Sequence, residues 1–178
     1  AREYSDLTDR RFHAQPDACF ECGPAVSLTE VGGETSWGQT REQSDEIFAR
    51  VVELLKAGKT VAVKGLGGFH LVCDANNAVA VRTLRERKHR WGKALAVMMP
   101  DADAVRRYCE LSREEEAILT GAQHPIVLLR KRCEVTEGLA NGLSELGVML
   151  PYTPVQHILM PDFAAAGGEM LVMTSVNM

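Results

Sequence analysis

Lys88-x-Arg90-x-x-Lys93 compresses three cations into the stretch between a predicted helix and a predicted strand, in a chain of 178 residues whose formal net charge is -4. Cations held so close repel one another unless something negative sits among them. Two readings stand side by side. As a solvated helix end, the whole basic run 85–93 complements the negative end of the helix dipole. As a binding turn, it suits a polyphosphate, through charge-assisted contacts worth about 1.5 to 3 kcal/mol each. Trp91 within the run can stack on a base, although partly buried packing is the expectation for it.

Other stretches offer groups to the same kind of ligand. Gly65-Leu66-Gly67-Gly68 follows a predicted strand over 60–63, where backbone N–H groups can approach a phosphate. A plain tight turn reads equally well from the spacing. The dinucleotide fingerprint fails because His70 stands where its third glycine belongs, and Gly58-Lys59-Thr60 fails as a P-loop because Glu53 takes the first glycine position. Ser175-x-Asn177 puts a hydroxyl and an amide at the C-terminal end of a predicted strand, where α/β folds bind ligands; the same residue types also cap helices. Cys19-x-x-Cys22 can hold one side of a tetrahedral zinc site whose other ligands lie upstream or include His13; alternatively the thiols are redox-active or free. Cys73, Cys109 and Cys133 read as small buried apolar residues, and His157 as a structural helix histidine.

The elements that must position these groups alternate. Ile47, Val51, Leu54 and Leu55 recur at helical spacing and predict a helix over 44–57, with Ser44 as cap and Gly58 just past its end. Strands over 60–63 and 71–73 follow, then a helix capped by Asp74 or Asn76 and running to about Lys88. A strand over 94–99 precedes helices over 100–108 and 112–120, the second opened by the capping-box spacing of Ser112 and Glu115. Strands over 125–130, 146–150 and 170–175 and a helix over 153–159 complete the chain. The fold class is α/β with α+β mixed layers: a twisted mixed sheet flanked by helices, preceded by a small irregular segment over 1–36.

Hydrophobic residues at 46% and charged residues at 25% are ordinary globular values, which excludes disordered and fibrous classes. No apolar run approaches the roughly 20 residues of a membrane span, and the start is charged rather than signal-like. Five cysteines, three of them scattered, point to a reducing compartment, so a cytoplasmic protein is expected. The acidic balance weighs against a general nucleic-acid coat. The absent initiator Met and the stop directly after a predicted strand point to a piece of something longer.

Together, the segments Asp9-Arg10-Arg11-Phe12-His13-Ala14-Gln15-Pro16, Cys19-Phe20-Glu21-Cys22-Gly23-Pro24 and Lys64-Gly65-Leu66-Gly67-Gly68-Phe69-His70-Leu71 resemble the hydrogenase-maturation carbamoyltransferase family HypF. The remainder, with Lys88-x-Arg90, Lys93, Leu150-Pro151-Tyr152-Thr153-Pro154 and Ser175-x-Asn177, is similar to the YrdC-like domain that HypF shares with threonylcarbamoyl-adenylate synthases. The resemblance covers essentially the whole chain. It implies that residues 1–36 are the end of a zinc-finger region with its linker, that 37–178 are a YrdC-like nucleotide-binding domain truncated at its C-terminal end, and that Cys19 and Cys22 bind Zn2+ with upstream cysteines. The chain departs from the family at Lys93-Ala94-Leu95, where Lys-Pro-Leu is usual, and in stopping at Met178 where the family continues into a glycine-rich segment.

The activity that the resemblance implies is ATP-dependent adenylation of carbamate, derived from carbamoyl phosphate, to carbamoyl-adenylate. The carbamoyl group then passes to the C-terminal cysteine of the partner HypE, as precursor of the cyanide ligands on hydrogenase iron. On this basis Lys88 and Arg90 are expected to be catalytic. Lys93, Ser175 and Asn177 are expected at the nucleotide phosphates, Lys64 with Gly65, Gly67 and Gly68 at the carbamoyl end, and Mg2+ beside the ATP. Such a reaction needs positioning and charge more than a nucleophile. A threonylcarbamoyl-adenylate synthase of tRNA modification is the alternative enzyme, and leaves the 10–16 and 19–22 segments unexplained. A non-catalytic RNA-binding module built on the basic run and Trp91 fits poorly with the net negative charge.

Overall fold

The computed structural model describes residues 23–176, so Cys19, Cys22, His13 and Asn177 lie outside the described residues. The chain divides into two units, one ending at Arg50 and the other beginning at Val51. In the first, β1 (Val26–Thr29) and β2 (Thr35–Gly38) pair as an antiparallel hairpin. The segment expected to be irregular thus contains regular structure; its short strands are largely exposed and carry no run of apolar residues to announce them. α1 (Arg41–Lys56) starts at Arg41 rather than Ser44. Gln43 Oε1 accepts from the Gln39 and Thr40 amides at 2.9 and 3.2 Å, while Thr40 Oγ1 accepts from the Gln43 amide at 3.2 Å. That reciprocal cap takes the role expected of Ser44.

In the second unit, β3 (Val61–Lys64), β4 (Phe69–Asp74), β5 (Val97–Met98), β6 (Val127–Arg130), β7 (Glu145–Met149) and β8 (Leu171–Ser175) form one six-stranded sheet in the order β3-β4-β8-β5-β7-β6. β5 and β7 run parallel and the other described neighbours antiparallel, giving the mixed sheet that the alternation of elements predicts. β5 is shorter than expected, but main-chain bonds continue on both sides of it. The Leu95 amide donates to the Leu139 carbonyl at 2.9 Å, and the Met99 amide to the Met149 carbonyl at 3.1 Å.

Alternate strand residues divide between two apolar faces. On one, Cys73, Val97, Val148 and Val172 pack with Val81 and Leu84 of α2 (Ala78–Lys88), Val105 of α3 (Ala102–Tyr108) and Leu119 of α4 (Arg113–Leu119). Each such side chain contributes about 1.5 to 3 kcal/mol by leaving water. The opposite face carries Val72, Met98, Met149 and Met173, all buried. α5 (Pro154–Ala165) and the end of α1 stand apart from the first core, burying Leu159, Met160, Phe163 and Leu55. They meet where Lys56 Nζ lies 5.6 Å from the Phe163 ring centre. α5 runs beyond the predicted end at Leu159 and through Pro161. An interior proline costs about 3 kcal/mol, offset here by the complete burial of Met160 and Phe163 on either side of it.

The helix ends show why the chain turns where it does. After α5, the Gly167 amide (φ 77°) donates to the Ala164 carbonyl and the Gly168 amide to the Phe163 carbonyl, both at 2.9 Å. After α1, Gly58 (φ 74°) and Lys59 make the same pair of bonds to Leu55 and Leu54. Both are Schellman turns with glycine at the left-handed position. α2 opens on Asn77, whose Oδ1 accepts from the Val79 and Ala80 amides at 3.1 Å, so the cap is neither Asp74 nor Asn76. It closes with Schellman bonding from His89 to Glu86 at 3.2 Å and from Arg90 to Arg85 at 3.1 Å. Here the left-handed residue is His89 (φ 49°), a conformation that costs a non-glycine about 1 to 2 kcal/mol.

Arg85 holds that strained turn in place. Only 9% exposed, it donates from Nε to the Gly138 carbonyl and from Nη1 to the Arg90 carbonyl, both at 2.5 Å. Nη2 reaches the Lys93 carbonyl at 3.0 Å, and Nη1 also faces the Trp91 carbonyl at 3.5 Å. Burial, and then the nearby Arg90 charge, lower its pKa.

Three substitutions test these contacts. A Cβ at Gly168 would stand 2.2 Å from Phe163 Cε1, whereas one at Gly142 (φ 69°) would meet nothing within 4 Å. In denaturant titrations Gly168→Ala is expected to lose about 2 to 4 kcal/mol, and Gly142→Ala about 1 kcal/mol from backbone strain; equal losses would show that the Phe163 ring yields. Arg85→Lys keeps the charge but not the planar fork. Its thermal midpoint is expected to fall by roughly 5 to 10 °C, and an unchanged midpoint would mean that the carbonyls hold their places without the guanidinium.

Candidate functional site

The end of α2 delivers Lys88 to the C-terminal end of β8, where its Nζ donates to the Ser175 carbonyl. Burial, and then the Arg90 charge, hold the Lys88 ammonium below the usual lysine pKa. Arg90 follows in the turn; its Nη2 donates to the Ala94 carbonyl at 3.2 Å, while its buried Nε has no hydrogen-bond partner among the described residues. Across the antiparallel ladder Ser175 pairs with His70 of β4. Arg90, His70 and Ser175 line one cavity of ≈ 530 Å³, with apolar walls from Ala96, Met149 and Met173. These strand residues lie on the sheet face opposite the α2–α4 core.

The structure therefore brings Lys88, Arg90 and Ser175 together, and places the other expected residues around them. Lys93 is exposed and gives its carbonyl to Arg85. Lys64 is exposed at the end of β3, with its ammonium 5.1 Å from the Phe69 ring centre. Neither lysine lines the cavity. The Gly65 amide closes its turn onto the Gly68 carbonyl at 2.7 Å. A Cβ at Gly65 would stand 3.0 Å from His70 Cε1 and 3.3 Å from the Gly68 carbonyl, so turn and imidazole approach closely because residue 65 has no side chain. Gly67 and Gly68 face open space, and Leu66 between the glycines reaches the cavity.

Some expectations need correction. Trp91 is 67% exposed rather than partly buried, since the Arg85 guanidinium takes its carbonyl inward and leaves the indole in solvent. Cys133 is exposed, in the turn after β6. Cys73 and Cys109 are buried, and burial pushes their thiols up to about 12 and about 11. The cavity groups that motif reading passes over are His70, His124 and Tyr152. His70 does carry a signal, as the residue in a fingerprint-glycine position, whereas His124 sits in a loop that follows no motif.

Among the described residues no three His, Cys, Asp or Glu side chains converge as a metal site. A nucleotide-associated Mg2+ takes most of its ligands from phosphates and water. The donors present, two cations and an unpartnered guanidinium N–H, fit phosphate oxygens.

Residues 53–178 match the Sua5/YciO/YrdC family, described as "Telomere recombination", and residues 1–29 match the HypF finger. The carbamoyltransferase HypF of Rhodobacter capsulatus is 48% identical over 176 residues, covering 99% of this chain and 22% of that protein. HypF2 of Cupriavidus necator is 45% identical over 153 residues, covering 79% and 19%. The chain thus spans about a fifth of the length of these relatives. Among solved structures, full-length HypF in a phosphate- and nucleotide-bound form gives a TM-score of 0.84 at 45% identity, covering 99% of this chain and 22% of that one. YciO of E. coli gives 0.61 at 17% identity, covering 72% and 63%, a likeness of fold alone. The chain belongs to the Sua5/YciO/YrdC family, and within it corresponds to the finger-and-YrdC stretch of the HypF carbamoyltransferases.

Proposed function

We propose that this chain binds ATP and forms carbamoyl-adenylate as one segment of a HypF-type carbamoyltransferase. The observation that carries this reading is the meeting of Lys88, Arg90 and Ser175 at one end of the sheet, beside a cavity with apolar walls. Support comes from the similar HypF structure, which holds phosphate and nucleotide, and from relatives named carbamoyltransferases. Lys88, Arg90 and Lys93 take the phosphates, with Ser175 and Asn177 at the nucleotide's phosphate region. Lys64 and the glycine turn border the carbamoyl end. A carbamate oxygen attacks the α-phosphorus of ATP; the new O–P bond forms as the bond to the bridging oxygen breaks, and the electron pair leaves with pyrophosphate. Cations around the phosphates offset the charge that develops on the leaving group, and a Mg2+ carried in with the nucleotide would supply further positive charge there. Carbamate is short-lived in water, so apolar walls that limit water's access preserve it.

The wider roles belong to the whole protein. They are supply of carbamate from carbamoyl phosphate, delivery of the carbamoyl group to the HypE cysteine for the hydrogenase cyanide ligands, and structural Zn2+ on Cys19 and Cys22. A cytoplasmic location goes with them. No described helix is long and apolar enough to cross a membrane.

Calorimetric titration of the intact protein with ATP and Mg2+ tests the core of this reading. Lys88→Ala and Arg90→Ala are each expected to weaken binding by roughly 10- to 100-fold, the loss of charge-assisted contacts, with melting unchanged. Undiminished affinity in both would remove the basic turn from the nucleotide site. The lowered Lys88 pKa adds a signature. Its positive charge is lost on the alkaline side earlier than that of an ordinary lysine, whose pKa is about 10.4. ATP affinity of the wild type is expected to fall as pH rises through that range, while Lys88→Arg, which stays charged, holds its affinity. Parallel pH curves for the two proteins would assign the loss to another group.

A further inference from the structure

Lys88, Arg90 and Lys93 repel one another, so a turn that presents them together before a ligand arrives must be held by something else. A loop outside the cavity does this. Residues 85 to 95 begin and end on two successive carbonyls of that loop: Arg85 Nε donates to the Gly138 carbonyl at 2.5 Å, and the Leu95 amide to the Leu139 carbonyl at 2.9 Å. Between these anchors the same guanidinium holds the Arg90 and Lys93 carbonyls. Of the cations in the turn, Arg90 is the one that lines the cavity, and none of Gly138, Leu139 and Asn141 lines it.

The loop is itself fixed. Leu139 and Ala140 are buried in the core that α2 helps to form. The Leu139 amide donates to the Thr136 carbonyl at 3.2 Å and the Gly138 amide to Asn141 Oδ1 at 2.7 Å, so the turn closes on itself. Gly138 sits at φ 93°, and a Cβ there would stand 3.0 Å from Val81 Cγ1 and 3.5 Å from Arg85 Nε. The loop thus approaches α2 closely because residue 138 has no side chain. A glycine has wide backbone freedom, and the bond to Asn141 restricts it so that the carbonyl stays aimed at Arg85. Cations already gathered need no further ordering when a ligand binds, which raises its affinity. Resting on the nucleotide reading above, we infer that the 136–141 loop is the positioning element of the phosphate site: Asn141 orients Gly138, Gly138 holds Arg85, and Arg85 sets where Arg90 stands. Asn141 and Arg85 are positioning residues, because they act through Arg90 and not on the nucleotide.

The test is calorimetric titration of the intact protein with ATP and Mg2+, at a temperature where melting curves show every variant folded. Asn141→Ala, which takes the acceptor from the Gly138 amide, and Arg85→Lys are each expected to weaken ATP binding roughly 3- to 30-fold. Asn141→Asp keeps an acceptor oxygen in place and recovers most of that affinity. The deciding comparison is made in an Arg90→Ala background. There Asn141→Ala is expected to lower the melting midpoint as it does alone, yet to change ATP affinity by less than about 2-fold, since the cation it positions is gone. A loop that only stabilised the domain would weaken ATP binding by the same factor with or without Arg90. That result, or full affinity in either Asn141→Ala or Arg85→Lys, would overturn the inference. A wild-type protein that binds no ATP, or whose binding Arg90→Ala leaves intact, would instead sink the nucleotide reading, and the positioning role with it.

Discussion

The buried guanidinium of Arg85 is the interaction on which the rest of the site depends. It bonds to the carbonyls of Gly138, Arg90 and Lys93, and no described carboxylate pairs with it. Carbonyl dipoles satisfy its N–H groups without cancelling its charge, so the turn remains positive. Burial first, and then the Arg90 charge, lower the pKa values of both Arg85 and Lys88. A bound anion relieves that repulsion, which links the anion's affinity to the geometry the clamp enforces. The left-handed His89 is part of the arrangement: it lets the chain reverse sharply enough for Arg85 to reach carbonyls on residues that follow it in sequence.

Local signals are the ones that sequence carries well. Gly58 reads as a helix stop and forms the Schellman turn after α1, and Ser112 with Glu115 reads as a capping box and forms one. Where long-range packing overrides a local rule, reading fails. Pro161 stands as a stop signal inside α5 because the burial that carries the helix through it, at Met160 and Phe163, is visible only in three dimensions. The β1–β2 hairpin is missed for the opposite reason: its strands bury little, so no apolar pattern marks them.

The same division runs through the site. Lys88 and Arg90 share one turn, so their proximity is legible from spacing alone. Arg85 belongs to the same basic run but turns inward, and nothing in the run distinguishes a cation that bonds the backbone from one that faces solvent. His70 and Ser175 are distant in sequence and adjacent in space because β8 inserts between β4 and β5. That neighbour relation follows from strand order, which periodicity does not encode.

Strand order also explains why a cavity exists there at all. A mixed sheet with two apolar faces needs covering on both. α2, α3 and α4 fill one face, and α5 with the end of α1 supplies a smaller buried set away from it, while Ala96, Met149 and Met173 remain as walls of the open space. Apolar walls lower the effective dielectric around Arg90 and Ser175, so a charge placed among these groups feels them more strongly than it would in water. Two flexible methionine side chains in those walls allow the cavity to adjust to what enters without a rigid shape of its own. The space beside the buried Met149 and Met173 thus strengthens the field at the point where Arg90, carried by the Arg85-held turn, lines it.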